Sequence, residues 1–175
     1  MISSHSTRLR NCHIRQRDAN DCVIATVAAV VNMPYDMVAA LSPRVPGVNG
    51  IYPHEVRTIL QKATNIRWKY PRTLYFRRLR TLCSSNATLI LFVRQPGSAF
   101  LQRVTRKMQH CVFVRNDFVY DPEHNDVVHA DNYSRIDWIP TIAYYPVDSS
   151  KLQELQDRNY SLYRKERMWS AIIGC

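Results

Sequence analysis

The sequence predicts an α+β fold in which a buried N-terminal helix packs against a mainly antiparallel sheet. Helical patterns occupy the chain up to about residue 64, and runs typical of β-strands dominate the chain after it. This separation of helices from strands along the chain is typical of the α+β class. The first helix is apolar on nearly every side, so we expect it at the centre of the fold.

The length of 175 residues suits one domain with a substantial core. We therefore expect a single domain over residues 1–175, with its core over about 16–146 and a charged helical extension over 149–175. Hydrophobic residues make up 46% of the chain and charged residues 22%, as in an ordinary folded globular protein. No apolar run reaches the ~18 residues that a membrane-spanning helix needs, so we expect no membrane partner.

The cysteines and the N-terminus predict a cytoplasmic protein. Five cysteines at irregular spacings, without a Cys-x-x-Cys pair, indicate neither a disulfide framework nor a zinc site. The first ten residues lack the apolar segment of a secretory signal, and a reducing compartment suits such a chain. The histidines and carboxylates at 124–131 lack paired metal-ligand spacing, so we expect them to be solvated loop residues.

The formal net charge of +10, most of it from arginine, is compatible with acidic partners, nucleic acid included. No nucleic-acid-binding motif accompanies this charge. The sequence therefore favours a basic surface without a specific ligand, and nucleic acid is not the favoured partner.

Three helices are predicted in the first part of the chain. Asn20 and Asp21 are good N-cap residues in front of an Ala/Val-rich segment, which predicts a helix over about 21–31. Proline near the start of a helical pattern predicts two more helices, over about 35–41 and 53–63.

Strand patterns follow, interrupted by a short helix over 74–83 and a basic irregular segment over 95–109. The predicted strands cover residues 66–70, 87–93, 110–115, 118–121, 127–129 and 142–146. Asn116-Asp117 tolerates the left-handed conformations of a two-residue turn, so 110–121 is predicted to be a tight hairpin. A charged helix over 149–168 completes the chain, with Leu152, Leu155, Tyr163 and Trp169 as its anchors.

Cys22 stands at the junction between a polar loop and the apolar helix. The free N–H groups and the positive dipole end of a helix N-terminus favour thiolate over thiol, and a thiolate is a nucleophile. Read alone, the stretch slightly favours a small core residue instead, because free cysteines are among the most buried residue types. The role of Cys22 therefore depends on whether the chain supplies a base.

The predicted hairpin supplies a base and a group to orient it. His110 begins its first strand and Asp121 ends its second. The two-residue turn places Val112 opposite Asp121, so His110 lies diagonally from Asp121 on the same face of the hairpin. A carboxylate at that position would fix the tautomer of the imidazole.

Nucleophilic catalysis by cysteine also needs donors for the oxyanion. Gln16, six residues before Cys22, offers a side-chain amide, and the backbone N–H of Cys22 offers a second donor. Together with Cys22, His110 and Asp121, these donors supply every group that nucleophilic catalysis by cysteine requires. The combination reverses the first preference, and Cys22 is predicted to be a nucleophile.

The order of these residues resembles the bacteriocin-processing cysteine peptidases, the double-glycine leader peptidase-like family, which is papain-like. The shared features are Gln16, Asp21-Cys22 before an apolar helix, His110 before an apolar strand, and Asp121-Pro122. The segments Asn49-Gly50-Ile51-Tyr52-Pro53 and Phe92-Val93-Arg94 also follow the family's course, so the resemblance covers about residues 16–122.

The resemblance implies a papain-like thiol peptidase with Cys22 as nucleophile, His110 as base, Asp121 as orienting group and Gln16 in the oxyanion hole. Two departures stand out: Val23 replaces the family's usual glycine and is expected to crowd the S1 side of the cleft, and the loop before His110 is basic and lacks Gly-His. Nothing resembling a transporter follows, so a leader-peptide substrate is not implied.

The leading hypothesis is therefore a cytoplasmic cysteine peptidase that acts on a protein or peptide and needs no metal or organic cofactor. A second hypothesis keeps the triad but changes the acceptor, as in transglutaminases, deamidases and some acyltransferases. A third is a non-catalytic binding module on the same scaffold, suggested by Val23 and by the arginine-rich surface.

Overall fold

The computed structural model describes residues 14–45, 48, 50–70, 78–84, 87–96 and 110–173, with side chains described up to residue 162. The helices in this part are α1 (Cys22–Val31), α2 (Tyr35–Ala39), α3 (Pro53–Thr64), α4 (Leu79–Cys83) and α5 (Ser149–Ile173). The strands are β1 (Trp68–Lys69), β2 (Leu89–Arg94), β3 (His110–Arg115), β4 (Phe118–Tyr120), β5 (Val128–His129) and β6 (Ile139–Pro146). The first part of the helix predicted over 74–83 and most of the segment predicted as irregular over 95–109 lie outside the described residues.

All six strands form one sheet in the order β1-β6-β2-β3-β4-β5, and every neighbouring pair is antiparallel. At its centre, β2 and β3 pair from Leu89 opposite Val114 to Val93 opposite His110. Both strands are buried along nearly their whole length. The prediction of an α+β fold with a mainly antiparallel sheet is confirmed.

The β3–β4 hairpin has the predicted turn and register. Arg115 pairs with Phe118 and Val114 pairs with Val119, so Asn116-Asp117 is a two-residue turn. Both turn residues are left-handed, with φ of 50° and 64°, as a type I′ turn requires. This local chemistry fixes which residues of β3 lie beside the end of β4.

Helix α1 lies at the centre of the fold, as predicted. Every residue from Val23 to Val31 is buried, and the helix packs against β3, α2, α3 and α5. The hydroxyl of Thr26, one turn after Cys22, donates to the carbonyl of Cys111 at 3.0 Å. This bond satisfies a buried polar group and fixes the first turns of α1 beside the start of β3.

The C-terminal end of α1 is held by α5. The side-chain amides of Gln156 and Asn159 donate to the carbonyls of Val30 and Val31, which lie in the last turn of the helix. We call these two amides the C-terminal clamp. The last carbonyls of an α-helix have no partner within the helix, so the clamp satisfies buried acceptors that would otherwise be unpaired.

The sheet carries apolar side chains on both faces. One face packs on α1, and the other is covered by α4 and by the segment from Ala130 to Trp138. Leu152 and Leu155 anchor α5 as predicted, whereas the side chains of Tyr163 and Trp169 lie outside the described part. Within the described ranges, no helix combines the length and hydrophobicity needed to cross a membrane.

Candidate active site

Cys22 is the first residue of α1, and its side chain is half-buried at the edge of the core. The other described cysteines, Cys83 and Cys111, are fully buried. Burial raises the pKa of both of these thiols, in Cys83 to about 12. Among the described cysteines, Cys22 is therefore the one with a thiol accessible to a reagent or substrate.

Asp21 occupies the predicted N-cap position, but its side chain makes no capping bond to α1. Its carboxylate turns back towards the preceding loop, where Oδ2 accepts the backbone N–H of Arg17 at 3.0 Å and the hydroxyl of Tyr35 at 2.6 Å. The expectation that Asp21 begins the helix is confirmed, and the expectation that its side chain caps it is wrong, because tertiary partners take the oxygen.

His110 and Asp121 form a buried pair at the open end of the β3–β4 hairpin. The Nε2 atom of His110 lies 2.6 Å from Oδ1 of Asp121, and the two side chains are 9% and 1% exposed. The diagonal relation derived from the turn is therefore present in the structure. The ring of His110 also contacts the edge of Trp138, with centroids 6.4 Å apart.

Asp121 is enclosed by hydrogen-bond donors in addition to His110. Its Oδ1 accepts the backbone N–H of Glu123 at 2.9 Å, and its Oδ2 accepts the hydroxyl of Tyr133 at 2.8 Å and Nη1 of Arg135 at 3.1 Å. Burial alone would raise the pKa of Asp121, but these bonds and the charge of His110 lower it to about 2. The carboxylate is therefore ionised and fixed in one orientation.

The charge of Asp121 is reflected in the protonation of His110. Burial lowers the pKa of His110, but hydrogen bonds to Asp121 and Cys22, together with the charges of those two groups, raise it to about 9. At neutral pH the ring is an imidazolium. The structure thus brings Cys22, His110 and Asp121 together in the order that the sequence predicted.

Gln16 reaches the same region through backbone contacts with the end of β4. Its N–H donates to the carbonyl of Pro122 at 3.1 Å, and the hydroxyl of Tyr120 donates to the carbonyl of Ile14 two residues earlier. The loop before α1 is therefore attached to the residues that flank Asp121. This attachment brings the fourth predicted residue to the site.

The side chain of Gln16 faces a residue that sequence reasoning missed. Its Nε2 lies 3.5 Å from Oε1 of Glu123, and the same oxygen lies 3.8 Å from Nδ1 of His110. The other oxygen of Glu123 pairs with Nη2 of Arg135 at 2.5 Å. The carboxylate of Glu123 therefore stands on the free side of the imidazole, next to the amide predicted to bind an oxyanion.

Three of the neighbours that organise the site gave no usable sequence signal. Tyr133 and Arg135 lie in a segment without periodicity, and Tyr35 reads as an ordinary residue of a short helix. Glu123 had a weak signal, since it follows Asp121-Pro122 directly. His124, expected to be a solvated loop residue, places Nε2 3.7 Å from Oδ2 of Asp121.

Val23 does not have the effect expected of it. Its side chain is 2% exposed and belongs to the core around α1. A side chain enclosed in the core does not crowd an open cleft, so the expected obstruction on the S1 side is wrong.

One group of described side chains is compact enough to share a metal ion. It consists of His110, Asp121 and Glu123, whose ligand atoms all lie within 4.8 Å of one another. His110 and Asp121 already satisfy each other, and Glu123 pairs with Arg135. Hydrogen bonds and ion pairs account for this arrangement.

Comparison with known proteins gives a distant structural likeness. No family model matches the sequence, and no curated protein matches it. Among solved structures, the chain is similar to a Bacillus anthracis protein whose crystal structure is assigned as a C39-like peptidase, with a TM-score of 0.47 and 12% identity over 77% of this chain and 93% of that chain.

Proposed function

We propose that this protein is a cysteine hydrolase, and specifically a papain-like peptidase, that cleaves an amide bond in a protein or peptide of the cytoplasm. The observation that supports this best is the buried His110–Asp121 pair, with the half-buried Cys22 at the start of a central helix among the groups that raise the pKa of the histidine. The order of Gln16, Cys22, His110 and Asp121 along the chain, which resembles the bacteriocin-processing peptidases, supports it independently.

In the proposed reaction, Cys22 reacts as a thiolate beside the His110 imidazolium, and its sulfur attacks the substrate carbonyl carbon. The carbonyl oxygen becomes an oxyanion, which accepts hydrogen bonds from the Cys22 N–H and the Gln16 amide. The His110 imidazolium then protonates the leaving amine as the C–N bond breaks. Water, deprotonated by the neutral His110, attacks the thioester carbon, and cleavage of the C–S bond releases the acid and restores the thiolate beside the His110 imidazolium.

Asp121 keeps the ring of His110 in a productive orientation. Because Asp121 holds Nε2, the other ring nitrogen is left for exchange with the sulfur and the leaving group. The donors from Glu123, Tyr133 and Arg135 prevent the carboxylate from rotating away. No metal or organic cofactor takes part in this scheme.

Reaction with a thiol-directed electrophile tests the proposal. We expect iodoacetamide to alkylate Cys22 selectively over the buried Cys83, as judged by mass spectrometry of peptides, and we expect Cys22→Ala to abolish turnover of a peptide or ester substrate. Cys83→Ala serves as the matched control and should retain both properties. Full turnover by Cys22→Ala would refute the assignment.

The acceptor in the second half of the reaction is tested separately. With water as acceptor, the acyl group leaves as a carboxylic acid, whereas a transferase passes it to an added amine such as glycine methyl ester. Mass spectrometry of the product distinguishes the two. We expect the acid, and predominant amide formation at millimolar amine would favour the transferase alternative.

A further inference from the structure

The carboxylate of Asp21 is buried at a cost that the fold alone does not explain. The residue directly precedes Cys22 and is 0% exposed. Its Oδ2 accepts two hydrogen bonds, but its Oδ1 is buried and has no hydrogen-bond partner among the described residues. A buried and incompletely satisfied carboxylate is destabilising, and such a group calls for an explanation.

One of the two bonds to Oδ2 connects the loop that carries Gln16 to the start of α1. The donor from the loop is the N–H of Arg17, which belongs to the peptide unit immediately after Gln16. The N–H of Gln16 itself donates to Pro122, next to Asp121. Gln16 is therefore held between a residue adjoining the nucleophile and a residue adjoining the group that orients the base.

Helix α2 supplies the second donor and makes the attachment rigid. The hydroxyl of Tyr35 donates to Asp21 from within the core, and burial together with Asp21 raises the pKa of Tyr35, so the hydroxyl remains a donor. The guanidinium of Arg17 lies 4.1 Å from the centre of the Tyr35 ring and pairs with Asp36. The backbone of Arg17 is thus held by Asp21, and its side chain is held by α2.

We propose that Asp21 is a positioning residue for the oxyanion hole: it holds the Gln16–Arg17 peptide so that the Gln16 amide and the Cys22 N–H are directed at the same oxygen atom. The inference rests on the proposed function, because it assigns a purpose to Gln16 that only carbonyl chemistry requires. It predicts that removing Asp21 impairs stabilisation of an oxyanion while leaving the thiol intact.

Two reagents distinguish a loss of oxyanion stabilisation from a loss of thiol reactivity in the 175-residue protein. Acylation of Cys22 by p-nitrophenyl acetate passes through an oxyanion, whereas alkylation by iodoacetamide displaces iodide without one. We expect Gln16→Ala and Asp21→Ala each to slow acylation by about 10²-fold, the effect of losing one oxyanion donor, while alkylation changes by less than about threefold. The reaction of Cys22→Ala is subtracted as the background from other thiols.

The conservative variant and the double variant sharpen the test. Asp21→Asn keeps an oxygen that can accept both hydrogen bonds, so we expect it to recover most of the acylation rate lost in Asp21→Ala. In the Gln16→Ala background, Asp21→Ala should add little further loss, because the residue being positioned is already absent. A purely structural role for Asp21 would instead slow both reactions and add to the effect of Gln16→Ala.

The outcomes distinguish the positioning role of Asp21 from the proposed function of the protein. If Gln16→Ala slows acylation but a folded Asp21→Ala does not, the positioning role is wrong while the proposed function stands. If Cys22 of the wild type reacts with p-nitrophenyl acetate no faster than free cysteine, the proposed function fails first. If Asp21→Ala does not fold, Tyr35→Phe removes one of the two hydrogen bonds to Oδ2 of Asp21. We then expect acylation to be several-fold slower and alkylation to be unchanged. Equal slowing of both reactions would overturn the inference.

Discussion

Replacing Asp121 by Asn tests the ion pair between His110 and Asp121. The variant keeps the shape of the side chain but removes the charge that faces His110 at 2.6 Å. The pKa of His110 is raised from 6.5 to about 9. At about 1.4 kcal/mol per pH unit, this difference corresponds to about 3 kcal/mol of stabilisation of the protonated ring.

The pH dependence of stability follows from the directions in which the pKa values of His110 and Asp121 are shifted. Because the pKa of His110 is raised on folding, its contribution to stability is fully present below pH 6.5 and is lost as the pH rises through about 9. Asp121 has its pKa lowered from 3.8 to about 2, so its contribution is present above 3.8 and is lost as the pH falls through about 2. Both pKa shifts come from the His110–Asp121 ion pair. This pair therefore stabilises the fold most between about pH 3.8 and pH 6.5.

Two measurements check this prediction. NMR titration of the His110 ring should give a midpoint near 9 in the wild type and a much lower one in Asp121→Asn. Urea unfolding should show that the wild type loses up to about 3 kcal/mol between pH 6 and pH 10, while the variant loses far less. Asp131→Asn, a change at a surface carboxylate, is the control and should behave like the wild type. A wild-type midpoint near 6.5, or an unchanged midpoint in Asp121→Asn, would refute the reasoning.

Two further predictions concern the surroundings of the site, with Glu154→Gln on the exposed face of α5 as the common control. Glu123→Ala removes the carboxylate that faces the Gln16 amide, so we expect several-fold faster acylation by p-nitrophenyl acetate; an unchanged or slower rate would show that Glu123 does not compete with the oxyanion. Gln156→Ala breaks one half of the C-terminal clamp and leaves the buried carbonyl of Val30 unpaired. We therefore expect urea unfolding to show that the free energy of unfolding falls by about 1–3 kcal/mol. A decrease no greater than that of the control would contradict the role of the clamp.

The parts of the fold that the sequence predicted well depend on local chemistry. The burial of α1 follows from its Ala/Val composition, because a helix without a polar face has to be enclosed. The approach of His110 to Asp121 follows from the turn at Asn116-Asp117, since a two-residue turn fixes the register of the strands that it joins. Once the register is known, the diagonal pair requires no knowledge of the rest of the molecule.

The parts that could not be predicted depend on contacts between distant segments. Glu123 lies 107 positions from Gln16, and nothing in either neighbourhood indicates that their side chains meet. The carboxylate of Asp21 was expected to cap α1, but the hydroxyl of Tyr35 and the N–H of Arg17 compete for it. Local propensity describes the options of a polar side chain, and tertiary packing decides which option is taken.

The C-terminal clamp also ties the completion of α1 to the order of protein synthesis. Helix α1 leaves the ribosome before the amides that complete it, which belong to Gln156 and Asn159, more than 120 positions later. Until those residues emerge, an apolar helix has neither its sheet nor its last polar partners and requires protection from aggregation. The helix that begins at Cys22 therefore obtains its last polar partners only after residues 156–159 have been synthesised.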